Sequence, residues 1–183
     1  MFVYCNNNPI LFYDSTGFDA VILYDKDSFG HIGIMAQDEQ GVWWHFYWGT
    51  KGGFSGSFGR LLCVLGFSLD QYTWCIEYSD STISLNNINE TNQYGGEYDA
   101  MHYLYGDFTS SVAEMKDPSG DYNLYTNNCS QVSLEILSKS NTSYSEILSA
   151  GADFILPLST NSYLSSSLGR RYSGGGYAVN AKY

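Results

Sequence analysis

Positive charge is scarce in this chain: 8 lysines and arginines stand against 19 aspartates and glutamates, for a formal net charge of −11. Such a surface repels a phosphate backbone over most of its area, which argues against nuclease and nucleic-acid-binding functions. Long apolar runs are also missing. None approaches the roughly 18 residues that signal a membrane span, and Met1 to Pro9 has neither the basic start nor the apolar centre of a secretion signal. Cysteine is sparse and unpaired: Cys5, Cys63, Cys75 and Cys129 form no CxxC motif, which argues against a disulfide scaffold and a cysteine-based zinc site. Cys63 and Cys75 lie within the apolar runs Leu61 to Gly66 and Tyr72 to Tyr78, where a cysteine behaves as a small buried hydrophobe.

What the chain does have is enough apolar material for one core, with 44% hydrophobic and 17% aromatic residues over 183 positions. Phe18 to Tyr24, Gly30 to Ala36 and Val42 to Trp48 are β-prone runs, the last two joined into a hairpin by the polar turn Gln37 to Gly41. Gly49 to Gly59 reads as a surface loop, because its glycines lack the order of a phosphate-binding loop. Arg60 to Gly66 and Tyr72 to Tyr78 read as the next strand pair, Ser79 to Tyr94 as a polar loop, and Met101 to Tyr105 as a short strand. Ser111 to Glu114 and Ser143 to Glu146 have capping-box spacing and predict two short helices, the second ending near Ser149. The expected fold is α+β, an antiparallel sheet of about five strands packed against a helix opening at Cys129.

That cysteine carries the chemical expectation. Asn127-Asn128-Cys129-Ser130-Gln131 precedes the helical-period positions Val132, Ile136 and Leu137, which puts a thiol in a first turn and Ser130 and Ser133 outward. A helix N-terminus favours thiolate, the nucleophilic form. Thiol acyl chemistry also needs an imidazole, a group that fixes its tautomer, and donors for the oxyanion. His31 and His45 are the candidates for the first two roles, and the backbone N–H of Cys129 for the last. If the hairpin turn pairs odd positions with odd, both imidazoles share a sheet face, and a two-residue offset would put their Cβ atoms about 7–8 Å apart. His102 reads as structural. A metal bound by His31, His45 and Cys129 is the weaker reading, lacking a close ligand pair or a fourth ligand.

Two resemblances bear on these residues. Phe2-Val3-Tyr4-Cys5-Asn6-Asn7-Asn8-Pro9-Ile10 with Tyr13-Asp14-Ser15-Thr16-Gly17 resembles the end of an RHS repeat-associated core, where a large shell protein gives way to a variable C-terminal toxin. Ser15 stands where that family usually has proline. This implies a leader over 1–17, a toxin domain over 18–168 and a loosely held Gly-rich tail over 169–183. The order His31 with Ile34, then His45, then Asn128-Cys129 resembles the circularly permuted papain-like fold of lecithin retinol acyltransferase and its relatives. Lipid-acting members follow the cysteine with Glu-His-Phe, whereas this chain has Ser130-Gln131-Val132.

The resemblance implies Cys129 as nucleophile, His31 as proton shuttle and His45 as its orienting partner, acting on an amide, peptide or isopeptide bond. It implies no cofactor, a protein or peptide substrate in a target cell, a cognate immunity protein, and secretion or delivery within a larger RHS protein. Acyl chemistry on lipid and a non-catalytic papain-like binding domain are the alternatives.

Overall fold

A computed structural model describes residues 18–26, 30–50, 71–79, 83–91, 97–123, 125–140, 142–154 and 156–171. The chain is α+β. Five antiparallel strands, β1 (Ala20–Asp25), β2 (His31–Gln37), β3 (Trp43–Thr50), β4 (Gln71–Tyr78) and β5 (Ala100–Leu104), lie in the order β4-β3-β2-β1-β5. Five helices accompany them among the described residues: α1 (Leu85–Thr91), α2 (Thr109–Lys116), α3 (Cys129–Ser138), α4 (Ser145–Ala152) and α5 (Pro157–Arg171).

Side-chain alternation along the strands divides the core in two. Ala36 pairs with Ala20 and with Trp44, and Ile34 with Ile22 and Phe46, so even-numbered residues of β1, β2 and β3 share one face. Ile22, Ile32, Ile34 and Phe46 there are fully buried beneath α2 to α5, with Leu134, Leu137 and Leu148 among the residues that cover them. Odd-numbered Val21, Leu23, Met35 and Trp43 form a smaller core on the opposite face with Leu85 and Ile88 of α1 and with Tyr98. A sheet covered on both faces accounts for apolar runs that do not alternate cleanly with polar residues.

Several expectations meet corrections here. The stretch read as a loop over Ser79 to Tyr94 contains α1, opened by Ser84, whose Oγ accepts from the Asn87 amide while its carbonyl accepts from that of Ile88. The capping box expected over Ser111 to Glu114 does not form. α2 begins at Thr109, with Asp107 Oδ1 taking the Thr109 amide and hydroxyl, and Ser111 is buried in the helix with its Oγ donating to the Ile136 carbonyl. α4 begins at Ser145 with no side-chain cap and runs to Ala152. The capping box that does form lies at Asn128 and Gln131. α5 reaches Arg171, inside the stretch read as tail. The RHS-like segment 1–17, the expected strand Arg60 to Gly66 with Cys63, and residues 172–183 lie outside the described residues.

Candidate functional site

β2 and β3 separate at one end, and the candidate site is built in that opening. Their pairing covers Ile34 to Gln37 against Phe46 to Trp43. His31, Ile32 and Gly33 are paired only with β1, and Tyr47 to Thr50 only with β4. The N-terminus of α3 sits in this mouth. Trp48 Nε1 donates to the Asn127 carbonyl at 2.9 Å, tying the segment before Cys129 to β3. On the other side Ser133 Oγ reaches the Ile32 carbonyl at 3.5 Å, and the Cys129 sulfur is hydrogen-bonded by the Ile32 backbone. A backbone bond that draws a thiol's pKa down is one in which an N–H donates to sulfur, so Cys129 lies against the peptide adjoining His31.

The cap leaves one first-turn amide uncommitted. Asn128 Oδ1 accepts from Ser130 at 2.9 Å and Gln131 at 3.2 Å, and Gln131 Oε1 returns a bond to the Asn128 amide. The Cys129 N–H, which none of these bonds uses, faces its own sulfur.

The thiol itself departs from expectation. Cys129 is 3% exposed, and Ser130 and Ser133, expected outward, are fully buried, because α3 is enclosed between the sheet and α4. Burial pushes the thiol from 9.0 up to about 11, outweighing the N–H groups of Ile32, Ser130 and Cys129 that draw it down. The Ser130 hydroxyl is near the sulfur and also acts in the lowering direction, yet among the described residues it lacks a hydrogen bond of good geometry. The thiolate expected from the helix N-terminus is therefore not the resting form.

Met35 pairs with His45, so odd positions do face odd, and His31 and His45 project from one face. The offset is wider than two residues. His45 lies opposite Met35, four residues from His31 and about 13 Å along the strand at 3.3 Å per residue. Its Nε2 lies 3.0 Å from the Tyr98 hydroxyl, and its ring meets Trp74 edge-on at 4.6 Å. His31 stacks on Tyr47 at 4.2 Å across the mouth. As a residue it is partly exposed, but its Nε2 has no solvent contact and no hydrogen-bond partner among the described residues. Burial pushes both imidazoles from 6.5 down to about 3, and for His45 the neighbouring His31 adds to it. Both are neutral at pH 7.

The body of α3 and the two histidines lie on opposite faces, so Cys129 and His31 can meet only through the gap between the strands. His102 points to the helical face, where its Nε2 bonds Asn161 Oδ1 of α5 at 2.8 Å. Among the described residues no group of three His, Cys, Asp or Glu side chains is arranged to hold a metal ion, and no helix is long and apolar enough to cross a membrane.

Sequence reasoning missed Tyr98. Asn89 clamps its backbone twice at 2.9 Å, through Oδ1 to the Tyr98 amide and Nδ2 to its carbonyl. This delivers the phenol over Gly33, where a Cβ would come 2.6 Å from the hydroxyl oxygen. The trace in the sequence was the glycine itself, since glycine inside an apolar strand marks a close approach. Comparison with protein-family models, with curated proteins and with solved structures finds no match.

Proposed function

We propose that the chain is a thiol-dependent acyl hydrolase or transferase of circularly permuted papain-like design, acting on amide, peptide or isopeptide bonds as the toxin tip of an RHS protein. The observation that carries this reading is the mouth between β2 and β3. There a capped helix brings a cysteine against the peptide adjoining a histidine whose Nε2 is buried without a partner among the described residues. In the acting form the Cys129 proton passes to His31, sulfur bonds to the acyl carbon, and His31 returns the proton to the leaving group. His45 belongs to the site through Tyr98, its hydrogen-bond partner, instead of through His31. The substrate class is protein or peptide, no cofactor takes part, and a cognate immunity protein protects the producer.

A second reading has its own support. A protonated, enclosed thiol and two neutral histidines suit a papain-like binding domain without catalysis. Expression of wild type, Cys129→Ala and His31→Ala in cells without an immunity protein separates the two. The enzyme reading expects Cys129→Ala to abolish toxicity and His31→Ala to reduce it at least tenfold. Undiminished toxicity in a folded Cys129→Ala protein would leave the binding reading.

A further inference from the structure

The Tyr98 hydroxyl is a buried polar group fixed through both its backbone and its oxygen. The residue is 2% exposed, its backbone is clamped by Asn89, and its oxygen sits 3.0 Å from His45 Nε2 above Gly33. Gly33 adjoins Ile32, whose backbone holds the Cys129 sulfur. Tyr98 is also close enough to the thiol for a charge there to oppose ionisation of the phenol, as Tyr47 and Asp25 do, beyond the larger effect of burial. The Tyr98 hydroxyl thus bonds His45 and lies within electrostatic reach of Cys129.

Resting on the thiol-acylation reading above, we propose that Tyr98 is a further catalytic residue, its hydroxyl the side-chain donor to the acyl oxygen during attack by Cys129. The Cys129 amide is the backbone donor. When sulfur bonds to the carbonyl carbon, the C=O π pair moves onto oxygen and the thiol proton goes to His31. The phenol O–H, which at rest faces His45 Nε2, then hydrogen-bonds the developing oxyanion without its proton being transferred. Collapse of the tetrahedral adduct restores C=O and expels the leaving group with the proton from His31, so Tyr98 ends as it began.

Alkylation and acylation of the same sulfur separate this role from a structural one, because displacement on iodoacetamide creates no oxyanion. In the full chain, Tyr98→Phe is expected to slow acylation of Cys129 by p-nitrophenyl acetate about 100-fold, the usual effect of losing one such donor, while leaving the iodoacetamide rate unchanged. Gly33→Ala keeps the hydroxyl but displaces it, and should show the same split more weakly; it serves as the test if Tyr98→Phe fails to fold. Equal loss in both reactions, or loss in neither, overturns the donor role while the acylation reading stands. A folded wild type whose Cys129 is alkylated but never acylated defeats that reading, and the proposal with it.

Discussion

Cys129 stands at the positive end of α3 and still keeps its proton, because an enclosed sulfur loses more solvation on ionising than a helix terminus returns. The same physics keeps His31 and His45 neutral and lowers His102, whose bond to Asn161 opposes the shift without cancelling it. A histidine with a depressed pKa binds fewer protons folded than unfolded, so its contribution to stability is complete above pH 6.5 and is lost as pH falls toward 3. For His31 and His45 together this amounts to about 3 kcal/mol between pH 6.5 and pH 5. Cys129 acts on the alkaline side, where a raised pKa removes stability from its ordinary 9.0 toward 11. Urea titrations from pH 4.5 to 10.5 should therefore show a plateau between about 6.5 and 8.5, and His45→Phe should flatten the acid limb if the side chain repacks. An acid limb as steep in His45→Phe as in wild type would show that this histidine is not held neutral. At Gly33 the added methyl meets the phenol of Tyr98 at 2.6 Å, and a buried, clamped ring has little room to retreat. Gly33→Ala is thus expected to cost about 1–3 kcal/mol, readable as a lowered urea midpoint at unchanged slope.

Among the elements, α3 depends on its cap more than on the outward polar face its sequence suggests. Asn128 satisfies two first-turn amides and Gln131 returns the bond, so Asn128→Ala should cost about 1–2 kcal/mol. Because the cap also seats Cys129 in the mouth, the same substitution should speed alkylation of Cys129 by more than the loss of global stability alone predicts. Trp48→Phe, which removes the 2.9 Å bond to the Asn127 carbonyl, should act in the same direction. Rates unchanged in both variants would mean that neither contact governs access to the sulfur. The strands were legible because each is a short β-prone run bounded by turn residues: 20–25, 31–37, 43–50, 71–78 and 100–104 fall on or within two residues of the runs read from the sequence. Caps were not legible. Ser111 and Ser143 have the spacing of a capping box, but Ser111 Oγ is drawn to the Ile136 carbonyl and Asp107 captures the helix start, a competition set by tertiary packing. α1 escaped because a seven-residue helix with only Leu85 and Ile88 buried carries too short a pattern to stand out among asparagines.

At the scale of the molecule, the decisive feature is one that no local pattern contains. The shared face of His31 and His45 follows from counting positions across a turn, and the helix at Cys129 follows from its apolar period. The four-residue offset depends on register, and the meeting of α3 with β2 depends on where two strands part; both are tertiary facts. Tyr98 lies 31 positions before Cys129 and is held at the site by Asn89 on α1 and by the bond from the Asp99 amide to the Tyr24 carbonyl. For the proposed thiol chemistry, opening of the mouth is a condition, since a 3% exposed sulfur admits no substrate. Two routes to exposure are possible, and they differ in how much surface each uncovers. Release of the α3 N-terminus from Ile32 and Trp48 uncovers little, whereas global unfolding uncovers everything. Alkylation of Cys129, followed residue by residue with mass spectrometry in increasing urea well below the unfolding midpoint, reads the difference directly. A site built to act should open locally, with a logarithmic rate that rises in urea at a small fraction of the equilibrium slope. A slope equal to that of global unfolding would mean that the mouth is a sealed joint between α3 and the sheet, and the binding reading would then describe the domain better than the catalytic one.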